Sequence, residues 1–431
     1  MPRSRVRARL GLARLVPVLL ALAAVAACGK ETSSDAPRNK VLLIGLDGAE
    51  WDLIQPMVDA GQLPHFARLM NQGVHGKLRS LEPAAKSPAI WTTIATGKSP
   101  EEHGIDTFVD EQGGLPLTQN LRKVRALWNI LSAVDRSVGV VGWLMSWPAE
   151  EVNGFVVSDY LQYAAKGSTR IMHRTFPPTL DAEIGSSVVE WEKLPWSFVQ
   201  QFLDAPVDTT NMDPELERLL RPIKWIGAGD LTFTRVGETL YRKERPDFFA
   251  VYLRGMDAMG HLYWNYMVPE AVPPGTLDRR GLELLKGAEP AYYRFVDQLM
   301  GSFLDLADER TTILVVSDHG FQAGTGRGVE THKLDGVLIM AGNHVGQGEI
   351  TGASVYDIAP TVLALLGLPP AADMRGSVLW SALDESIPRD RFQSRIASYE
   401  TGEPRTTQAP MQSPIDEELK ARLRSLGYLN D

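Results

Sequence analysis

Three short apolar runs constrain this chain more than any other feature: "KVLLIGLDG" (40–48), "PDFFAVYLRGMD" (246–257) and "TTILVVSDHGF" (311–321) each end in an acidic residue. A short run rich in Val, Ile and Leu, with no alternating polar positions, is what a strand covered on both faces requires. "SVGVVGWL" (137–144) has the same character, and helical spacing lies between the runs, as at Leu121, Val124, Leu127, Trp128 and Leu131 within 121–134. Strand alternating with helix predicts an α/β fold, a doubly wound, mainly parallel sheet flanked by helices. Ligands of such sheets collect beyond the carboxyl ends of the strands. Asp47, Asp257 and Asp318 would lie together along that edge.

Imidazoles accompany the three acids. His261 follows Asp257 at i+4 and shares its face if a helix begins there. His319 adjoins Asp318, and His332 ends the Gly-rich stretch "FQAGTGRGVETH". The set offers six O/N donors, three per ion if two ions bind. Zinc suits mixed carboxylate and imidazole donors, and a pair of nearby ions is a familiar device for phosphoryl transfer. Taken singly, each Asp reads as a helix cap and each His as a packed or solvent-facing ring. The metal reading comes from the six together.

A nucleophile is sought in "EPAAKSPAIWTTIATGKSPEEHGI" (82–105), which holds Ser87, Thr92, Thr93, Thr96 and Ser99. Ser87-Pro88 can open a helix, with Ser as N-cap and Pro at the first helical position. A helix N-terminus also offers free N–H groups to a phosphate. A plain cap with no chemical role fits the same position. Lys86, beside it, reads either as positive charge for a transition state or as a solvent-facing side chain.

The motifs "VLLIGLDGAEWD", "KSPAIWTTIATGKSPEEHGI", "MDAMGH", "VVSDHGF" and "THKLDGVLIMAG" together resemble the alkaline phosphatase superfamily, and most of all its type I phosphodiesterase/nucleotide pyrophosphatase branch. The resemblance runs from about Lys40 to about Leu383 with the motifs in matching order. It implies two divalent ions, most naturally zinc, and a metal-activated Ser87 that forms a covalent phosphoseryl intermediate. It further implies that Asp47, Asp318, His319 and Ser87 hold one ion, and that Asp257, His261 and His332 hold the other. His65, His75, His103, His173 and His344 lie outside the motifs and read as incidental. Nucleotide pyrophosphatases carry an Asn shortly after the nucleophile segment, where this chain reads Asp106-Thr107-Phe108, which puts nucleotide specificity in question. Sulfatases need C/S-x-P-x-R, which Ser87-Pro88-Ala89-Ile90 does not supply. Phosphoglycerate mutases share the site type, but a glycolytic step does not suit an exported chain.

The first residues point outside the cytoplasm. Arg3, Arg5, Arg7, Arg9 and Arg14 precede an apolar stretch from Leu15 to Ala27, too short for a comfortable span, and Val25-Ala26-Ala27-Cys28 resembles a bacterial lipobox. Residues 1–27 then form a lipoprotein signal, Cys28 the lipidated first residue, and 28–39 a flexible tether. Gly29 after the cysteine, rather than Asp, favours an outer-membrane, periplasm-facing location. Cys28 is the one cysteine, which excludes disulfides within the chain.

A catalytic region is expected over 40–383, with a largely helical inserted cap at about 160–240, a loop at 265–290, and a polar tail over 384–431 ending in the helical "IDEELKARLRSLGYL". Trp191, Trp196 and Trp225 read as that insertion's own core, or as the lining of a pocket for a bulky leaving group. The net charge of −9 argues against a nucleic-acid polymer as partner. The expected substrate is a phosphoric ester, small molecule or lipid. Phosphotransfer to an envelope glycan or lipid, and phospho-ligand binding without catalysis, are the alternatives.

Overall fold

The computed structural model describes residues 38–110, 114–163, 171–326, 328–392, 394–401 and 409–429, so the signal, Cys28 and nearly all of the tether lie outside the described residues. The strands are β1 (Lys40–Leu46), β2 (Gly73–Arg79), β3 (Val138–Val141), β4 (Gly154–Val157), β5 (Thr175–Phe176), β6 (Phe248–Leu253), β7 (Thr311–Val316), β8 (Gly320–Phe321), β9 (His332–Lys333), β10 (Asp335–Gly342) and β11 (Gly348–Ser354). The main helices are α1 (Trp51–Asp59), α2 (Pro64–Gln72), α3 (Ser87–Thr96), α4 (Leu127–Ser132), α5 (Pro214–Glu244), α6 (Gly255–Met267), α7 (Ala288–Leu304), α8 (Ile358–Leu365) and α9 (Asp416–Ser425). Among these residues no helix is long and apolar enough to cross a membrane.

Nine strands form one sheet in the order β11-β2-β10-β7-β1-β6-β3-β4-β5. β7, β1, β6, β3 and β4 run parallel, while β10 and β5 are antiparallel to their neighbours. The period of two along a strand divides the core. Leu42, Ile44 and Leu46 of β1 and Phe249, Val251 and Leu253 of β6 face one layer, which includes α1, α2, α5, α6 and α7. Val41, Leu43, Phe248, Ala250 and Tyr252 face the other, with α3, α4 and α8. This is the doubly wound sheet expected from the apolar runs.

Several local expectations are corrected. In 121–134 the helix is confined to α4 after a short 3-10 turn that ends at Leu121, and Arg122 takes an extended ψ of 121°. Its guanidinium is buried, bonded to Glu150 at 2.7 Å, to Asn129 and to the Val124 carbonyl, and that anchoring outweighs the helical spacing. The stretch 265–290 contains the end of α6, a short helix at Arg279–Leu284 and the start of α7 rather than loop alone. Residues 160–240 are largely helical, as expected, and they pack onto the sheet. β5 extends the sheet edge, and α5, which runs on to Glu244, packs directly on β6 and β3. Leu220, Ile223, Phe233 and Val236 of α5 bury into the same core as the strands, because its apolar face has no other layer to cover it. The tail adds a contact that its polar composition does not announce. α9 is the expected helix, but Leu423, Leu426 and Tyr428 are buried in the sheet's own core at 2–7% exposure.

Candidate metal centre

The three acids reach one place because β7, β1 and β6 are adjacent, parallel and in register. Asp47 follows β1 by one residue, Asp318 follows β7 by two, and Asp257 sits in the first turn of α6 just beyond β6. Gly48 makes the approach possible. Its φ is +70°, and a Cβ there would come 2.9 Å from the Asp257 backbone. α6 carries His261 one turn beyond Asp257, and β8 pairs with β9 so that His332 lies opposite Phe321. The six side chains are only 0–8% exposed.

On one side stand Asp47, Asp318, His319 and Ser87. His319 Nε2 is 3.4 Å from Asp47 Oδ1 and 3.5 Å from Asp318 Oδ2. The outer atoms of these ligands are already held. Asp47 Oδ2 accepts from the Tyr252 hydroxyl and from Trp91 Nε1–H, Asp318 Oδ1 accepts from the Gly48 amide, and His319 Nδ1 faces the Gly320 carbonyl at 3.0 Å. That last contact fixes the tautomer and turns Nε2 inward. The inward atoms Asp47 Oδ1, Asp318 Oδ2, His319 Nε2 and Ser87 Oγ are all buried without a hydrogen-bond partner. Four orphaned donors from three segments are too costly to leave uncompensated. One cation would satisfy them all, and their chemistry suits zinc.

On the other side, His261 Nε2 is 3.1 Å from Asp257 Oδ1 and 3.2 Å from His332 Nε2. His332 Nε2 is 3.5 Å from Asp257 Oδ1. The two sets touch. His319 Nε2 is 3.7 Å from Asp257 Oδ1, and the His319 and His332 rings stack at 3.5 Å. His319 therefore stands close enough to Asp257 and His332 to share an ion with them. The shorter separations favour His261 as the partner of that pair.

Metal-free, the cluster holds protons in unusual places. Burial and the charge of Asp47 push the Asp318 carboxyl well above its ordinary range. Burial works against a charged His319, yet Asp318, Asp47 and Asp257 push it up to about 10. Burial and neighbouring His319 push His332 down to about 4. Asp257, also opposed by burial, is held well below the carboxylate range by His261 and His332. Crowded carboxylates sharing imidazolium charge are what a cation-binding site looks like before the cation arrives.

Ser87 is correctly expected at a helix start but is the first helical residue rather than the N-cap, which is Lys86. Its Oγ caps nothing and points into the centre, so the plain-cap reading does not hold. Lys86 is half-buried and donates to Thr107 Oγ1 at 3.0 Å. Trp196 and Trp225, the latter on α5 itself, pack against the core, and none of the three tryptophans lines the cavity at the centre. His103 is a buried structural ring bonded to Thr93 Oγ1.

Three residues at the centre escaped sequence reading. Tyr252 and Arg254 lie on or just after β6, and Tyr428 comes from the tail, 171 residues from Asp257. Tyr252 was legible only as one of several apolar strand positions. For Tyr428 the available signal was "LRSLGYL", an amphipathic helix closed by Gly, which is a packing pattern rather than a chemical one.

The family model described as type I phosphodiesterase/nucleotide pyrophosphatase matches residues 41–372. No curated protein matches the sequence significantly. Among solved structures, wild-type alkaline phosphatase PafA is 13% identical, with 81% of this chain and 100% of that chain covered and a TM-score of 0.50. A 2-O GAG sulfatase is 12% identical, with 83% and 76% covered and a TM-score of 0.50. A phosphonoacetate hydrolase from Sinorhizobium meliloti 1021 is 18% identical, but the chain spans 57% of its length, over 66% of its own, with a TM-score of 0.39. At such identities the likenesses to the phosphatase and the sulfatase establish the fold and nothing more.

Proposed function

The chain belongs to the type I phosphodiesterase/nucleotide pyrophosphatase family, and on that premise we propose that it is a metal-dependent phosphoric ester hydrolase with Ser87 as nucleophile. The observation that carries this is the convergence of orphaned Asp47 Oδ1, Asp318 Oδ2, His319 Nε2 and Ser87 Oγ beside Asp257, His261 and His332. Two zinc ions, one in each set, would lower the proton affinity of the serine hydroxyl and neutralise charge on the phosphoryl oxygens. Ser87 Oγ, free of any cap bond at the start of α3, attacks phosphorus in line. The Oγ–P bond forms as the ester P–O bond breaks, and the leaving oxygen takes up a proton. Water then attacks the phosphoserine, breaking the Oγ–P bond and releasing phosphate or its remaining monoester. The positive end of α3 faces the anionic phosphoryl group. Lys86, the residue before Ser87, would add positive charge near the same helix start.

Ser87→Ala is the test, with zinc content measured in parallel. Turnover of an aryl phosphate monoester or diester should fall roughly a thousandfold or more. Full activity in a variant still holding its zinc would sink the mechanism. Comparison of the two substrates in the parent assigns phosphatase or phosphodiesterase.

We further propose export and lipidation at Cys28, with the catalytic region facing the periplasm, supported by the basic and apolar sequence before it. Cys28→Ala should move the protein out of the membrane fraction, and unchanged fractionation refutes the anchor.

A further inference from the structure

The hydroxyl of Tyr428 sits among the second set of ligands. Its Oη is 2.9 Å from His261 Nε2, 3.2 Å from His332 Nε2 and 3.2 Å from both Oδ1 and Oδ2 of Asp257. The other three separations among Oη, Asp257 Oδ1 and the two Nε2 atoms are 3.1, 3.2 and 3.5 Å. Four atoms with six nearly equal separations mark the corners of a tetrahedron. With edges of that length, its centre lies roughly 1.8–2.1 Å from every corner, which is a zinc–nitrogen or zinc–oxygen bond length. Hydrogen bonding accounts poorly for the same cluster. A phenol and two imidazole Nε2 atoms bring at most three protons, too few to bridge every pair of these atoms. A central cation satisfies all four donors at once.

The tail holds Tyr428 in place by packing and by backbone geometry. Beyond α9 the Gly427 amide bonds the Arg424 carbonyl at 3.0 Å and the Tyr428 amide bonds the Leu423 carbonyl at 2.9 Å. Gly427 has a φ of +81°, so this is a Schellman turn that reverses the chain and aims Tyr428 inward. The Arg422 guanidinium lies over the rings of Tyr163 and Trp225, and the Phe108 ring meets Tyr428 at 4.7 Å. The cavity lined by Ser87, Asp47 and Asp257 is lined as well by Leu419, Leu423, Leu426 and Tyr428 of the tail. It measures about 50 Å³, room for a few waters. A ligand pocket is commonly about 300 Å³ or more.

We propose that Tyr428 is the fourth protein donor to the ion held by Asp257, His261 and His332, so that the C-terminal helix keeps the centre closed. Catalytic zinc sites hold three protein ligands and leave the fourth position for water or substrate, whereas four protein donors make a closed site. Tyr428 occupies the position that a substrate oxygen would take, and turnover requires it to leave. This inference rests on the metal reading of the proposed function.

Metal-stripped full-length protein and its Tyr428→Phe variant are titrated with zinc, following bound ion and the ultraviolet difference absorption of tyrosinate. Phe keeps the ring contact with Phe108, and equal thermal midpoints of the metal-free proteins show that the fold is intact. Expected are a tyrosinate signal of one residue per chain as the second ion binds, its loss in the variant, and second-ion affinity weakened about tenfold or more. Two ions bound by the parent with no tyrosinate signal, or equal signals in both proteins, would overturn the assignment of Tyr428 and leave the proposed hydrolase standing. Zinc bound by neither protein would remove the metal reading as well.

Discussion

Leu423→Ala separates a gating tail from a merely structural one. Leu423 is 2% exposed and lies on the inner face of α9, one turn before the Schellman reversal that delivers Tyr428. The substitution removes three buried carbons at about 0.8 kcal/mol each, so docking of α9 weakens by about 2.4 kcal/mol. At 1.4 kcal/mol per decade that is a change of about fiftyfold in the docked-to-released ratio. If the helix undocks as a local unit, trypsin cleavage at Lys420, Arg422 and Arg424 should accelerate by up to that factor, since cleavage follows the open population when closing is fast. Hydrolysis of a small aryl phosphate by the zinc-loaded variant should rise together with cleavage, and the main thermal transition should stay near that of the parent. A lower thermal midpoint with no gain in either cleavage or turnover would refute the reasoning. It would show that α9 unfolds only with the whole domain and does not gate the site.

Tyr252→Phe removes the hydroxyl that donates to Asp47 Oδ2, leaving Trp91 as that oxygen's remaining donor. Zinc affinity should drop about 10–100-fold with little change in fold, measured by competition with a chromophoric chelator; unchanged affinity would mean that Tyr252 does not orient the ligand. Asp230, beneath the centre, accepts from the Tyr292 hydroxyl and the Arg254 amide, and its burial, only partly offset by those donors, pushes its pKa up to about 7. A carboxyl raised in the folded state contributes stability that is present below its unfolded pKa and lost as pH rises through its folded value. The parent should therefore lose up to about 4 kcal/mol between pH 4 and pH 7 through this group, and Asp230→Asn should lose much less. Thermal midpoints at pH 5 and pH 8 test this, and parallel declines in the two proteins would refute it.

What the sequence settled by itself were the features written in neighbouring residues. Apolar runs without alternation require cover on both faces, so β1, β6 and β7 and their parallel packing were legible, and so was the shared edge where Asp47, Asp257 and Asp318 meet. The i+4 spacing of Asp257 and His261 needed only the helix that α6 supplies. The fold had to decide whatever depends on partners remote in the chain. Arg122 broke a helical pattern because Glu150 was there to pair with it. Residues 160–240 joined the main core because α5 found β6 and β3 to cover. Ser87 gave up capping at the first helical position, and its buried Oγ stands without a partner in the cavity that Asp47 also lines. Tyr428 is the extreme case, meeting His332, His261 and Asp257 across 96, 167 and 171 residues. Spacing within a segment fixes which side chains share its face. Only packing of the whole chain fixes which segments share a site, and a polar, helical C-terminus carries no local mark that it will close one.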